Sequence, residues 1–246
     1  MVALDRWETA QKYERGFWED QAEKLAAGES PDMSWYQWRA DQLAAWLRKL
    51  GFQNLADGQA RALEVGSGPV GLLAYYRAAE RVAVDPLDAS YAGNPVFAQQ
   101  RASGVVYREG RGESLPVTTG HYDLLVIENC IDHVKDMDAV MRELRRATTA
   151  DGVLYLTVNC RTRFGYYMHR MLSRLRLDPG HPHTFTGERV ISFLRKYGFE
   201  IIDMRVDSYT KALREDIKGP GLRPRLKAAL GVSEFLASVI ARRQKQ

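Results

Sequence analysis

Cysteine is nearly missing from this chain, which has two thiols, Cys130 and Cys160, in 246 residues. Two are too few for a disulfide framework, and no CxxC pair or His-rich spacing accompanies them, so reduced thiols and no structural zinc are expected. Long apolar runs are missing too. No stretch approaches the roughly eighteen uninterrupted apolar residues that a membrane span needs. The opening Met-Val-Ala-Leu-Asp-Arg lacks a signal-peptide pattern, and a cytoplasmic protein without a transmembrane segment is the expectation. Neither sign of charge dominates. With 35 Lys and Arg against 31 Asp and Glu, the net charge of +4 is too mild to predict a nucleic-acid partner. Repeats and low-complexity tracts are also lacking.

What is present is 45% apolar residues, enough for one domain with additions. Trp7, Ala10, Tyr13, Phe17, Trp18 and Leu25 recur at helical spacing before Gly28. A second helix is signalled by Ser34 as N-cap, by Trp35, Trp38, Leu43, Trp46, Leu47 and Leu50, and by Gly51 as its stop. Residues 1–55 are therefore expected to form a helical extension covering a site on a main domain of residues 56–246. Its tryptophans pack it onto that domain, and a share in covering a ligand is the second reading.

From residue 61 short β-branched runs alternate with helical ones. Strands are expected at Arg61–Val65, Arg81–Val84, Val105–Arg108, Tyr122–Ile127, Val153–Val158 and Phe199–Val206, and a helix at Asp138–Ala150. A last strand over Glu234–Arg243 is expected to return antiparallel beside the sixth. This predicts an α/β fold with a doubly wound, Rossmann-like, mostly parallel seven-stranded sheet.

In such a sheet a ligand sits at the carboxyl ends of the strands. The first strand ends in Glu64-Val-Gly66-Ser67-Gly68-Pro-Val-Gly71, where glycine lets the backbone bend and a ligand approach. Glu64 stands where a dinucleotide turn carries an apolar residue, and a carboxylate there calls for a cationic partner. Asp85, twenty-one residues on, is placed to accept ribose hydroxyls. Gly110-Arg-Gly112-Glu113-Ser114-Leu115-Pro116 and Glu128-Asn129-Cys130-Ile-Asp132-His133-Val134 follow the third and fourth strands.

Glu64-Val-Gly66-Ser-Gly68, Asp85, Glu113-Ser-Leu115-Pro116, Asp132-His133-Val134 and His183-Thr-Phe185-Thr186 stand in order over residues 62 to about 206. In this the chain resembles the class I S-adenosylmethionine-dependent methyltransferases of the small-molecule group. It departs from their pattern in its third glycine, one position late at Gly71, and in Arg111, where an acidic residue is frequent. The resemblance implies S-adenosylmethionine as cofactor and S-adenosylhomocysteine as product. It implies that Glu64 holds the cofactor ammonium beside Gly66, Ser67 and Gly68, and that Asp85 and Pro86 meet the ribose. Leu87 and Leu115 would sandwich the adenine, with backbone groups of Gly112, Glu113 and Ser114 beside it. Asn129 and Cys130 would offer backbone groups to the methionine end, and Arg39 would pair with the cofactor carboxylate.

The implied reaction is in-line methyl transfer to a small molecule, with a hydroxyl oxygen as the expected acceptor, because no Asn-Pro-Pro-Tyr or Asp-Pro-Pro-Tyr segment follows the fourth strand. A hydroxyl must lose its proton, and His133, His181 and His183 are the candidate bases. No metal is assigned. Residues 160–183 form the expected substrate lid, where Tyr166, Tyr167 and Arg170, among five arginines with no acid before Asp178, suggest an acidic or phosphorylated substrate, or one presented at a membrane surface. A solvated basic helix over 166–177 is the plainer alternative. A cofactor-binding scaffold and a nicotinamide-dependent oxidoreductase are the competing functions. Oligomeric state is not legible.

Overall fold

The structure, a computed structural model, describes residues 4–29, 33–174 and 182–244. The chain opens with α1 (Leu4–Ala26), α2 (Trp35–Lys49) and α3 (Gln53–Ala56), then β1 (Arg61–Val65), a 3-10 turn at Leu72–Ala74 and β2 (Glu80–Asp85). Next come α4 (Asp88–Gly93), α5 (Pro95–Ala98), β3 (Val106–Glu109), β4 (Tyr122–Glu128), α6 (Met137–Ala147) and β5 (Thr148–Cys160). The last part comprises α7 (Arg163–Arg174), α8 (Gly187–Lys196), β6 (Phe199–Val206), α9 (Tyr209–Lys218), α10 (Leu222–Ala229) and β7 (Phe235–Arg243).

The strands form one seven-stranded sheet in the order β3-β2-β1-β4-β5-β7-β6. Pairings among the first five positions are parallel, and β7 runs antiparallel to both neighbours. The last strand is thus beside the sixth, as expected, and is also inserted between β5 and β6. Strand order reverses between β1 and β4, so a crevice opens at their carboxyl ends.

Alternation along the strands divides the core between two faces. Leu63, Val65, Leu125 and Ile127 pack with Val140, Met141 and Leu144 of α6. Ala62, Leu124 and Val126 pack with Leu43, Trp46 and Leu47 of α2. Each face buries its helix's apolar stripe, at about 1.5–3 kcal/mol per fully buried large side chain.

Beyond differences of one or two residues at strand ends, the elements differ from expectation in three places. Ser34 has helical angles, φ −61° and ψ −18°, and makes no side-chain cap, because the turn has begun before it and its hydroxyl no longer faces the first free amides. The helix of α6 stops at Ala147 rather than 150. Asp136 caps its start through the amides of Asp138 and Ala139, while Thr148 turns extended and pairs with Tyr122, so β5 starts five residues earlier than read. Finally, α9 and α10, between β6 and β7, had no counterpart in the sequence reading.

Candidate functional site

A cavity of about 510 Å³ lies at the carboxyl ends of β1, β2 and β4. Its floor comes from Glu64, Gly66, Ser67 and Gly68 after β1, Asp85 and Pro86 after β2, and Glu128, Asn129, Cys130 and His133 after β4. Its roof comes from the helices that precede the sheet: Gln11, Glu14, Phe17 and Trp18 of α1, and Trp35, Tyr36 and Arg39 of α2.

Glu64 is buried, and its two oxygens accept the amides of Leu72 and Leu73, each at 2.9 Å. Burial pushes its pKa up to about 8, and the two amides offset only part of that cost. Each carboxylate oxygen has a further lone-pair direction, so a cation in the cavity can still be received. Asp85 is built in the same way. It accepts the amides of Gly68 at 2.9 Å and Leu87 at 2.8 Å, and burial raises its pKa to about 6. Asp85 therefore ties the glycine turn of β1 to the end of β2.

The turn is shaped by its neighbours. At Gly66, with φ +73°, a Cβ would stand 2.2 Å from Cys130 Sγ, and at Gly71 one would stand 2.6 Å from Glu64 Oε2. The glycines thus make room for the side chains of the site itself. Gly68 lies under Trp18 and the Tyr36 hydroxyl. Trp18 donates to Glu14 Oε1 at 2.8 Å and meets Tyr91 and Phe97 edge-on, which seats α1 over the end of β2.

At the β4 end, Glu128 Oε2 accepts from Arg39 at 3.0 Å, and its Oε1 accepts from Tyr155 at 3.4 Å. Burial raises the Glu128 pKa against these partners, and Arg39 also stacks on Trp35. Asn129 has φ +46°, unusual for a residue with a side chain. Its amide donates to Thr157, while its buried Oδ1 has no partner among the described residues. A buried, unpaired carbonyl oxygen beside the cavity is a place for a ligand donor. Burial raises Cys130 well above the ordinary thiol range, so it stays a neutral wall.

Not every predicted residue meets here. Leu87 and Leu115 belong to separate core clusters, and neither lines the cavity. Gly112, Glu113 and Ser114 lie outside its lining. Glu113 accepts the amides of Lys135 and Asp136, and Leu115 donates to Glu143, so the loop after β3 is committed to fastening the start of α6. Arg111 stacks on Trp7 of α1.

Of the histidines, His133 lines the cavity, with Nε2 3.8 Å from the buried Asp132 Oδ1. His183 donates through Nε2 to the Val134 carbonyl at 2.9 Å and is outside the lining. His181 lies outside the described residues.

The lid also differs from expectation. Tyr166 is buried under Arg189, Tyr167 and Arg170 are exposed, and none of the three lines the cavity. Arg161 pairs with Glu234, and Arg163 with Glu188, so two of the lid arginines are already neutralised from other elements. Among the described residues no three metal-ligating side chains converge.

Glu128, Glu14, Trp18 and Tyr36 were not singled out as site residues in the sequence. Glu128 had a signal, since it ends the apolar run of β4 at the sheet's carboxyl edge. Trp18 had a partial signal, as one of the tryptophans of an extension expected to cover the site, while Glu14 and Tyr36 had none, because helical spacing does not say which residues of a covering helix will face a cavity.

A match to the family model described as a methyltransferase domain covers residues 37–204. No curated protein matches the chain's sequence. Among solved structures, the [4+2]-cyclase SpnF aligns with a TM-score of 0.63 at 18% identity, over 100% of this chain and 98% of that one. A Mesorhizobium loti S-adenosylmethionine-dependent methyltransferase aligns with a TM-score of 0.54 at 19% identity, over 83% of this chain and 100% of that one. Phosphoethanolamine N-methyltransferase 2 of Haemonchus contortus, in complex with phosphomonomethylethanolamine and S-adenosylhomocysteine, aligns with a TM-score of 0.59 at 17% identity, over 83% of this chain and 53% of that one. With its seven-stranded order, its acidic strand ends and a family match over most of its length, the chain belongs to the methyltransferase domain family and is a class I S-adenosylmethionine-dependent methyltransferase.

Proposed function

We propose that this enzyme methylates a hydroxyl oxygen of a small molecule held beneath α1, in the cavity that also takes the cofactor. The observation that carries this reading is the convergence, on one cavity, of the buried Glu64 and Asp85, the half-buried Glu128, the unpaired Asn129 Oδ1 and an aromatic roof. When bound, the cofactor supplies a sulfonium methyl group open to in-line displacement. Glu64 receives the cofactor ammonium, Asp85 its ribose hydroxyls and Arg39 its carboxylate, each as a charge-assisted partner. Phe17, Trp18 and Trp35 exclude water and hold the acceptor in line. His133, which lines the cavity, takes the acceptor proton.

A second reading, an amine acceptor, has its own support. The charged side chains around the cavity are Glu14, Glu64, Asp85 and Glu128 against Arg39, an environment suited to a cation rather than an acidic substrate. The acidic-substrate reading rests instead on Arg170, outside the lining.

The test is methyl incorporation from labelled S-adenosylmethionine into fractionated metabolites, with calorimetry of cofactor binding alongside. Transfer to a hydroxyl compound, cut about a hundred-fold or more in His133→Asn, supports the proposal. Transfer to an amine supports the second reading, and cofactor binding with no transfer would leave a scaffold.

A further inference from the structure

Between β6 and β7 the chain makes a helical hairpin, α9 and α10, in which no residue is buried. Leu222, Leu226 and Leu230 stand four residues apart along α10 and its end, one stripe of exposed side chains, with Leu222 at 72%. On α7, Phe164, Tyr167 and Met171 form a second stripe, the first two more than 60% exposed. The stripes adjoin, since the Phe164 ring stands against Gly231, just past α10. Isolated exposed leucines need no explanation, but two neighbouring stripes do.

Basic residues surround them. Residues 209–231 hold Lys211, Arg214, Lys218, Arg223, Arg225 and Lys227 against Glu215 and Asp216, an excess of four that equals the net charge of the whole chain. Lys227 pairs with Glu234. On α7, Arg163 pairs with Glu188 while Arg170 donates to Tyr166. Apolar side chains amid basic ones match an interface with acyl chains at one level and anionic headgroups at another. A second copy of the chain would set positive face against positive face, and a nucleic acid offers the leucines nothing to enter.

We propose that α7, α9 and α10 dock this protein on an anionic lipid surface. The same face reaches α1, where Arg223 donates to Tyr13, one turn before the cavity-lining Phe17. A docked enzyme therefore presents its cavity close to the bilayer.

Flotation of the full chain with vesicles tests this independently of methyl transfer. The protein is expected to float with an equimolar mixture of phosphatidylcholine and phosphatidylglycerol, not with phosphatidylcholine alone, and to detach in high salt. Lys218→Gln with Arg225→Gln should weaken binding about five-fold for each charge removed. Leu222→Ser with Leu226→Ser should abolish it with an unchanged melting temperature. Failure to float, equal binding to both vesicle types, or variants that float like the parent would overturn the proposal. So would sedimentation of a dimer that the leucine variant dissociates, or DNA or RNA binding that the same variant loses.

Discussion

Burial pushes the Glu64 pKa up to about 8 despite its two amide partners, and a cation placed against it favours the ionised form. Cofactor binding at pH 7 should accordingly release close to one proton more from the parent protein than from Glu64→Gln. Calorimetry in buffers of different ionisation enthalpy reads this difference directly, and equal release from the two would remove Glu64 as the ammonium's partner. Gly66 makes a different prediction, since alanine there meets Cys130 at 2.2 Å and adopts φ +73°. Strain and overpacking together should cost about 3 kcal/mol, seen as a lower denaturation midpoint at unchanged denaturant slope. Asn129 was read in the sequence as a backbone contributor. Its unpaired side-chain oxygen is a tertiary outcome, since it depends on Thr157 holding the backbone at positive φ.

At the scale of elements, the helices that precede the sheet form a roof that a bound ligand must pass. Hydrogen exchange in α1 and α2 should slow when S-adenosylmethionine binds, and an unchanged rate in α1 would show that it does not close over the ligand. Arg39→Ala should weaken cofactor binding about ten- to hundred-fold, the value of a charged hydrogen bond, and should also leave the half-buried Glu128 without its cation. Loss of stability with no loss of affinity would make Arg39 a tether for β4 alone. Helical periodicity revealed both helices in the sequence. That they cover the site was expected from the sequence, but the pairing of Arg39 with Glu128, 89 residues apart, was not legible, because no local pattern relates the two. The β3–β4 loop shows the converse. Glu113-Ser-Leu-Pro was visible as a motif, but in the fold the Glu113 carboxylate accepts the Lys135 amide just before α6 and the Leu115 amide donates to Glu143 on it.

For the molecule as a whole, the titrating groups set a pH window. Glu64 and Asp85 have folded pKa values of about 8 and about 6, above the unfolded values near 4. Between those limits the unfolded chain has lost protons that the folded chain keeps, so stability falls as pH rises from about 4 and levels off near 8. Asp123, Asp138 and Glu143 are lowered by their hydrogen-bonded partners. They add a smaller, screened contribution that is lost as pH falls below about 4. The melting temperature of the ligand-free protein should therefore peak at about pH 4 and decline toward pH 8. A curve that rises over that range would contradict the buried acids. The sequence by itself determined the strands, their alternation with helices and the glycine-and-acid turn, because these follow from periodicity and residue chemistry within short windows. Tertiary structure alone decided that β7 enters between β5 and β6, which side chains of α1 and α2 line the crevice, and that Arg161 and Arg163 are paired with Glu234 and Glu188. The physical reason is that partner choice depends on which distant side chains share a buried face, and Glu64 lies on both sides of that line. Its carboxylate was plain in the sequence, but its raised pKa and its two amide partners exist only once the sheet has closed around it.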